Sequence, residues 1–343
     1  MTIMLLSRPF IVYLIALMTL ASAPAAADQY SIADETDLVG DARSVQAAHE
    51  DTLLDIARRN GLGYTEIKLA NQGVDTWLPG EGRQIVLPKR YILPSSPREG
   101  LVLNIPEMRL YYYPDAEGGS QGQTGTVQTY PLGVGRQGWS TPYETTRVTA
   151  KAAQPAWYPP ESIREEHAAE GDPLPRIVPA GPDNPLGDYA MRLSLPSYLI
   201  HGTNRPWGVG MRVSHGCIRL YPEHIEQVFA QVDVGTSVRI INEPYKVGVK
   251  DDMIYLEAHP HLQEDAAQFH NAFSQIVNKV QARTQVQPGR YEIDWELARQ
   301  VMEEAHGLPV AIGMQLPPEA TVVAGEIQSN PAAGMQLQLD DRM

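Results

Sequence analysis

The sequence contains a single cysteine, Cys217, among 343 residues. One thiol cannot form an internal disulfide, so the fold does not depend on a disulfide framework. Basic residues are also few, with 27 Lys and Arg against 41 Asp and Glu and a formal net charge of −14. Binding to nucleic acid or to an anionic membrane surface relies on basic patches, so this charge balance argues against both kinds of partner.

The sequence also lacks, at its N-terminus, an apolar run long enough to span a membrane. Arg8 precedes an apolar run from Phe10 to Leu20, and small residues follow up to Ala27. This run is shorter than the roughly 20 apolar residues of a spanning helix. The order of charge, apolar run and A-x-A site predicts a signal peptide over residues 1–27, cleaved after Ala27; a membrane anchor is the alternative. No cysteine lies directly after the run, which argues against a lipid anchor.

Residues 45–88 predict a small module of strand, helix, helix and strand. Asp51 or Thr52 can cap the first helix and Gly61 ends it. The second helix is expected over Tyr64 to Ala70, and the last strand over Gln84 to Leu87. A module of this size is close to the lower limit for independent folding.

This module resembles a LysM domain, a family that binds glycan chains containing N-acetylglucosamine, chiefly peptidoglycan. The matching residues are Asp51-Thr52-Leu53, Ile56-Ala57, Leu69-Ala70-Asn71, Leu78-Pro79-Gly80 and Ile85-Val86-Leu87-Pro88. The resemblance implies a peptidoglycan-binding module over residues 43–89. A packing module without affinity for sugar is the alternative, because a fold does not by itself establish a binding site.

The middle of the chain predicts a mainly β domain over residues 97–242. Short strand-like runs are separated by Gly, Pro and Asn, and one helix is expected from Glu223 to Val232. The proline-rich segment between Pro155 and Pro185 predicts a long ordered loop or lid. The expected strands are Leu101–Ile105, Arg109–Tyr113, Gln128–Leu132, Arg147–Ala150, Tyr189–Leu193, Tyr198–Ile200 and Ser237–Ile241.

A smaller α/β extension is expected over residues 243–315. Its predicted elements are a strand from Met253 to Glu257, an amphipathic helix from Glu264 to Arg283, and a helix from Asp294 to Ala305. Residues 316–343 are rich in Pro, Gln, Ala and acidic residues and predict a disordered tail. The predicted fold class is therefore α+β: a βααβ module, a mainly β domain and a small α/β extension.

The only cysteine lies in a motif that can support nucleophilic chemistry. A thiol reacts as the thiolate and needs a base or a cationic neighbour, and His201 and His215 are the two candidates. Residues two apart on a strand point to the same side, which predicts that His215 lies beside Cys217. Amides around 215–217 can form an oxyanion hole, and Arg219 supplies a positive charge for a carboxylate.

Two other interpretations of this cysteine remain open. The side chains of His201, His215, Cys217 and His224 could supply four ligands to zinc, although a lone cysteine with scattered histidines is a weak metal signature. A lone cysteine is also often an inert core residue. The three readings correspond to a cysteine acyltransferase or hydrolase, a metal-dependent hydrolase and a non-catalytic protein.

The residues around the cysteine resemble the signature of the L,D-transpeptidase family with a YkuD-type catalytic domain. His201-Gly202-Thr203 is followed by Ser214-His215-Gly216-Cys217-Ile218-Arg219, and the segments NIPEMRLYYYP, GRQGWSTPY, PAWYPPESI, NPLGDYAMRL and PYKVG resemble its Gram-negative branch. The resemblance implies that Cys217 is the nucleophile and His201 the proton acceptor and donor.

The same resemblance implies further roles and a function. His215, Gly216 and Cys217 would supply oxyanion-hole amides, and Ser214 and Arg219 would support the motif loop and the substrate, next to Gly202 and Thr203. The implied function is a periplasmic transpeptidase that forms a Cys thioester with the tetrapeptide stem of peptidoglycan, without a cofactor. The acyl acceptor would be diaminopimelate, a lipoprotein lysine or water. A non-catalytic wall-binding protein and a metal-dependent hydrolase are the alternatives.

Overall fold

The computed structural model describes residues 28–33, 35–114, 125–286 and 290–316. The predicted signal peptide over residues 1–27 and residues 317–343 of the predicted disordered tail lie outside these residues, whereas Leu316, the first residue of that predicted tail, ends a strand. No helix within the described ranges has the length and apolar character needed to cross a membrane.

Strands make up most of the regular structure. In chain order they are β1 (Asp28–Ile32), β2 (Leu38–Gly40), β3 (Arg43–Gln46), β4 (Gln84–Leu87), β5 (Arg90–Ile92), β6 (Gly100–Asn104), β7 (Arg109–Tyr113), β8 (Gly125–Pro131), β9 (Val134–Gly135), β10 (Thr145–Ala153), β11 (Tyr189–Leu193), β12 (Leu199–His201), β13 (Arg212–Ser214), β14 (Ile218–Arg219), β15 (Ser237–Ile241), β16 (Tyr245–Lys250), β17 (Met253–Ala258), β18 (Arg290–Ile293) and β19 (Val310–Leu316).

The helices lie between these strands. They are α1 (Leu53–Arg59), α2 (Tyr64–Ala70), α3 (Glu161–Ala169), α4 (Pro222–Gln231), α5 (Ala272–Val286) and α6 (Trp295–Glu304), with two 3₁₀ helices over Pro206–Gly208 and Gln263–Phe269.

The largest sheet has nine strands in the order β1-β8-β7-β6-β15-β10-β11-β12-β14. Only β6 with β15 and β12 with β14 pair in parallel. Alternate residues of β6 enter different cores, because successive side chains of a strand point to opposite faces. Leu103 packs in the same core as Ile225 of α4, whereas Val102 packs with Tyr91 of the N-terminal region. Both faces of this sheet are therefore covered.

The strand β1 is an addition to the predicted middle domain. It pairs antiparallel with β8, with Tyr30 opposite Val127. Because β1 precedes the βααβ module in the chain, the predicted range 97–242 does not include every strand of this sheet. The expected strands from Leu101 to Ile241 are present with small shifts at their ends.

The N-terminal module has the predicted order of β3, α1, α2 and β4. Thr52 caps α1: its hydroxyl accepts from the Asp55 N–H, and the Asp55 carboxylate accepts from the Thr52 N–H. The strands β3 and β4 pair antiparallel, and the two helices and β4 enclose a core that includes Leu53, Ile67 and Ile85. The resemblance of this module to a LysM domain stays a prediction.

The module packs against the nine-stranded sheet through a buried ion pair. Arg109 of β7 has no exposed side-chain surface, and its Nε donates to Glu66 Oε1 of α2 at 2.6 Å. The same guanidinium donates to Thr129 Oγ1 at 2.8 Å and lies over the Tyr91 ring. Buried charges require such pairing, so this contact fixes the module on the sheet.

The C-terminal extension is a four-stranded antiparallel sheet, β16-β17-β19-β18, packed with α5 and α6. One expectation for it was wrong, and three of its strands were not predicted. The helix predicted from Glu264 to Arg283 is a 3₁₀ helix followed by α5, with a break at His270 and Asn271. The carboxylates of Glu264 and Asp265 are held by residues of the nine-stranded domain, and these contacts compete with a continuous α-helix. The strands β16, β18 and β19 were not predicted.

The segment between Pro155 and Pro185 also differs from the prediction. It was expected to be a long ordered loop or lid without a helix, but it contains α3. The helix was missed because only one of its side chains, Ile163, is buried, which leaves no apolar stripe in the sequence.

Candidate active site

Parallel pairing of β12 and β14 places His201 and Cys217 at one edge of the nine-stranded sheet. His201 ends β12 and lies opposite Arg219 of β14, and Cys217 directly precedes β14. The two residues are 16 positions apart in the sequence, but His201 ends one strand and Cys217 directly precedes the strand beside it. The histidine and the thiol predicted to act together are therefore neighbours in the fold.

His201 is held in one tautomer. Its side chain is buried, and Nδ1 donates to the Gly202 carbonyl at 2.6 Å. Burial, with a smaller contribution from Arg219, lowers the pKa of His201 to about 3. A neutral ring whose Nδ1 carries the proton leaves Nε2 with a free lone pair, which is the form that a general base requires.

The Cys217 thiol faces the turn that leads into β12. Its Sγ donates to the Ser197 carbonyl at 3.6 Å, and burial raises its pKa above that of an ordinary thiol. Ser197 has φ of 69°, a left-handed conformation that is uncommon for residues other than glycine. The charge of Arg219 opposes burial and favours the thiolate. The resting pair is therefore a neutral thiol and a neutral imidazole.

The backbone conformation at His215 differs from the prediction. Residues 215–217 form a bend between β13 and β14 rather than a strand, so the expected alternation does not apply. The His215 Nε2 contacts Arg136 Nη2 at 3.1 Å and Glu166 Oε2 at 3.3 Å, and its ring meets Trp139 edge to face. His215 thus belongs to a polar cluster with Arg136 and α3.

Gly216 permits the bend to close. Its φ is 101°, and an added Cβ would lie 2.9 Å from the Tyr198 ring. Thr141 Oγ1 donates to the Gly216 carbonyl at 2.8 Å, and Ser214 Oγ donates to the Cys217 carbonyl at 2.6 Å. The Gly216 N–H also donates to Ser214 Oγ, at 3.2 Å. The bend is therefore held by hydrogen bonds from Thr141 and from Ser214.

Arg219 brings an uncompensated charge to the site. Burial lowers its pKa, and its Nε is buried without a hydrogen-bond partner. Across the described ranges, no carboxylate lies within ion-pair distance of its guanidinium. Its main chain is fixed by two hydrogen bonds with Gly133. Such a cation favours the binding of an anionic group near Cys217.

Gly202 and Thr203 shape the chain that follows His201. The Gly202 carbonyl holds the His201 ring, and an added Cβ at Gly202 would lie 3.0 Å from Ile225. Thr203 is buried, and its hydroxyl accepts from the Arg205 N–H at 3.0 Å. In the structure, both residues contact protein groups that orient His201 and the turn after it.

The C-terminal extension contacts two loops of the site. Glu264 accepts from the Arg212 guanidinium, which precedes Ser214 by two residues, and from Ser140 Oγ at 2.8 Å. Its hydrogen bond with Arg212 lowers the pKa of Glu264 to about 2, so this carboxylate is charged at neutral pH. Asp265 accepts from the Tyr143 hydroxyl. These contacts connect the extension to both sides of the Cys217 bend.

Sequence reasoning assigned no role to several of these residues. They are Arg136, Trp139, Ser140, Thr141, Glu166, Ser197, Arg212 and Glu264. Residues 136 to 141 lie in GRQGWSTPY, a segment that resembles the family but carries no predicted role at any position. The contribution of Ser197 depends on its backbone conformation, for which the sequence holds no signal.

The four predicted zinc ligands do not converge in the described residues. The one group there that has metal-ligand geometry consists of Glu107, Glu257 and His259. Lys246 Nζ lies 2.9 Å from Glu107 and 2.8 Å from Glu257, so an ammonium already pairs with both carboxylates of this group. His224 packs between the Tyr130 and Tyr221 rings.

The known proteins that this chain resembles are named as L,D-transpeptidases. The family model for YkuD, the L,D-transpeptidase catalytic domain, matches residues 98–240. The chain is 38% identical over 314 residues to "Probable L,D-transpeptidase ErfK/SrfK" of Salmonella typhimurium, covering 90% of this chain and 97% of that protein. It is 41% identical over 254 residues to "Probable L,D-transpeptidase YbiS" of Escherichia coli, covering 73% and 80% of the two chains. It is 39% identical over 262 residues to "Probable L,D-transpeptidase YcfS" of Escherichia coli, covering 75% and 79%.

Proposed function

Since the chain belongs to the L,D-transpeptidase family with a YkuD-type catalytic domain, we propose that it is a periplasmic enzyme that acts on tetrapeptide stems of peptidoglycan through a thioester on Cys217. The observation that carries this proposal is the position of His201 next to Cys217, with its ring buried, neutral and held by Gly202. The periplasmic location depends on the predicted signal peptide.

The first step transfers the stem to the enzyme. Cys217 Sγ attacks the carbonyl between the L-centre of diaminopimelate and the terminal D-alanine, and His201 Nε2 takes the thiol proton. Collapse of the tetrahedral intermediate breaks the C–N bond, and His201 returns the proton to the leaving amine. The products of this step are D-alanine and a tripeptidyl thioester.

The second step releases the acyl group. An amine attacks the thioester carbonyl, His201 removes a proton from that amine, and the thiolate leaves and is protonated again. Diaminopimelate as the amine gives a 3→3 cross-link, a lipoprotein lysine gives an anchored lipoprotein, and water gives hydrolysis. Acceptor choice depends on the shape of the groove rather than on the motif.

The charges around Cys217 suggest how the thiol becomes reactive. Burial raises the pKa of Cys217 and lowers that of His201, so neither group is charged before substrate binds. Proton transfer to His201 therefore accompanies attack. The amides of His215 and Cys217 receive the oxyanion, since the Gly216 N–H already donates to Ser214 Oγ, and Arg219 stabilises negative charge on sulfur.

Arg219 also offers a partner for the donor substrate. Its guanidinium lies beside Cys217 and has no carboxylate partner within the described residues. The terminal D-alanine carries a carboxylate close to the bond that breaks, and an arginine fork can bind it through two hydrogen bonds. This contact places the scissile carbonyl near Sγ.

The N-terminal module is proposed to bind glycan strands. Trp77 and Leu78 lie on the connection from α2 to β4 with exposed fractions of 65% and 77%. Exposed aromatic rings of this kind can pack against sugars. Trp77→Ala should weaken binding to purified sacculi in sedimentation assays, while Trp295→Ala, at an exposed tryptophan of α6, should not. Equal binding by both variants would remove the glycan role.

Turnover of a defined stem tests the catalytic proposal. The mature protein, a tetrapeptide stem and a diaminopimelate-containing acceptor should give D-alanine and a dimer that mass spectrometry identifies. Cys217→Ser should give neither product, because a hydroxyl has a far higher pKa than a thiol. A folded Cys217→Ser protein with full activity would eliminate the proposed nucleophile. Wall fragments from cells with and without the gene would then distinguish diaminopimelate from a lipoprotein lysine as acceptor.

A further inference from the structure

We propose that Arg136, held in place by His215, forms a second carboxylate-binding subsite for the peptide stem, and that Glu166 of α3 occupies this subsite when substrate is absent. The inference rests on the proposed function, since it concerns the same substrate. The ligand chemistry is a stem carboxylate other than that of the terminal D-alanine, such as the one on the D-centre of diaminopimelate or on D-glutamate.

The structure places a carboxylate in this position. Arg136 Nη2 donates to Glu166 Oε1 and lies 3.1 Å from His215 Nε2, and Glu166 Oε2 lies 3.3 Å from the same nitrogen. Burial and Arg136 lower the pKa of His215, which favours its neutral ring. The neutral Nε2 then accepts from Arg136, so Glu166 is bound mainly through the guanidinium.

Arg136 is positioned relative to Cys217 by the main chain. Its N–H donates to the Ser214 carbonyl at 2.9 Å, and its carbonyl accepts from the Trp139 N–H at 2.9 Å. The Trp139 ring in turn supports His215 at a centroid distance of 4.9 Å. The Arg136 Nε is buried and has no hydrogen-bond partner. The main chain of Arg136 is therefore fixed beside the Cys217 bend, and the Nε of its guanidinium has an unmet hydrogen-bonding requirement.

The helix that carries Glu166 has few other contacts to hold it. Ile163 is its only buried residue. The base of the segment is fixed instead: Asn184 Nδ2 donates to the Pro155 carbonyl at 2.7 Å, and its Oδ1 accepts from the Leu186 N–H at 2.9 Å. Partly exposed ion pairs are weak, so an incoming carboxylate can replace Glu166 while the base of the segment stays in place.

The two carboxylates would compete for Arg136. Removing the charge of Glu166 should tighten stem binding, whereas removing the charge of Arg136 should weaken it. An Arg136 contact that does not involve the stem carboxylate would affect acidic and amidated stems equally. The effect must therefore disappear when the carboxylate of the stem is converted to a carboxamide.

Binding measurements in a Cys217→Ala background test the subsite without turnover. Isothermal titration would compare two tetrapeptide stems, one with the free D-centre carboxylate of diaminopimelate and one amidated there, and a second pair that differs at D-glutamate. We expect Arg136→Gln to raise Kd for one acidic stem by about 10- to 100-fold, as for the loss of a charged hydrogen bond, and to leave its amidated form nearly unchanged. Arg136→Lys should give an intermediate value, because the charge remains but the fork is lost.

Glu166 has a matched control on its own helix. Glu166→Gln should lower Kd for the same acidic stem several-fold, whereas Glu165→Gln, at an exposed neighbouring glutamate, should leave it unchanged. Thermal unfolding would establish that every variant is folded. The two stem pairs identify which carboxylate binds.

Three results would overturn the inference: equal effects of Arg136→Gln on acidic and amidated stems, a Kd for Glu166→Gln that is unchanged or higher, or no stem binding to the Cys217→Ala parent. Release of D-alanine by the unmodified protein is measured separately. Binding without release would contradict the proposed function and leave the subsite supported, whereas release without carboxylate-dependent binding would do the reverse.

Discussion

Replacing Glu66 by alanine should strongly destabilise the protein, because it would leave the charge of Arg109 buried and unpaired. The Arg109 side chain has no exposed surface, and its remaining partners are the Thr129 hydroxyl at 2.8 Å, the Gly61 carbonyl at 3.3 Å and the Tyr91 ring. None of these carries a compensating negative charge. Removing one partner of a buried ion pair typically costs about 3–5 kcal/mol. At roughly 1.4 kcal/mol per tenfold, the ratio of folded to unfolded protein falls about 10²- to 10⁴-fold.

The same interface supplies a matched control. Arg58 of α1 pairs with Glu223 of α4 at 2.9 Å, but the Arg58 side chain is 44% exposed. Arg58→Ala should therefore cost at most about 1 kcal/mol. Urea unfolding of the unmodified protein and both variants, monitored by circular dichroism, would give the free energy of unfolding of each.

The outcome decides how the N-terminal module is attached. A large loss for Glu66→Ala and a small loss for Arg58→Ala support a module that folds together with the nine-stranded sheet. Losses that are equal and below about 1 kcal/mol would contradict the reasoning, since the burial of Arg109 would then have no energetic consequence.

Three further results are expected. Alkylation of Cys217 by iodoacetamide without substrate should still accelerate with pH where an ordinary thiol is already ionised, because burial raises the pKa of Cys217. A rate that is constant below about pH 7 would instead indicate a preformed thiolate. Glu264→Gln should lower turnover about tenfold, because Arg212 and Ser140 beside the Cys217 bend lose a hydrogen-bond partner, and it should have little effect on alkylation of Cys217 at high pH. Unchanged turnover would mean that Glu264 does not position the bend. Thr141→Val should cost about 1–3 kcal/mol of stability, measured by urea unfolding, because the Gly216 carbonyl loses its buried donor; a loss near zero would mean that another donor replaces it.

The sequence predicted the parts of the site that lie in one short motif. The adjacency of His201 and Cys217 was predicted from a strand, a glycine-rich connection and a second extended segment, each of which can be recognised from a short stretch of sequence. The expected strand through His215 and Cys217 was wrong, because the positive φ of Gly216 replaces it by a bend. Glycine permits such a conformation, but its presence does not require it.

Elements fixed by distant contacts were harder to predict. The strand β1 joins the sheet through β8, about 100 residues away in the sequence. The helix α3 carries one buried residue, so its place over His215 depends on Glu166 and Arg136 rather than on an apolar stripe. The break before α5 reflects contacts of Glu264 and Asp265 with another part of the fold. In each case tertiary contacts outweigh local preference, and a single sequence does not record them.

Capture of the acyl-enzyme is the most direct test of the central claim that His201 activates Cys217 for acyl transfer. The mature protein would be incubated with a tetrapeptide stem and no amine acceptor, and its intact mass measured. A tripeptidyl adduct should form as D-alanine is released, map to Cys217 and be absent in Cys217→Ala. It should form about 10²- to 10⁴-fold more slowly in His201→Ala, and a metal chelator should not change its rate. Release of D-alanine that a chelator abolishes, with no adduct on Cys217, would contradict the account, as would a folded protein that gives neither product.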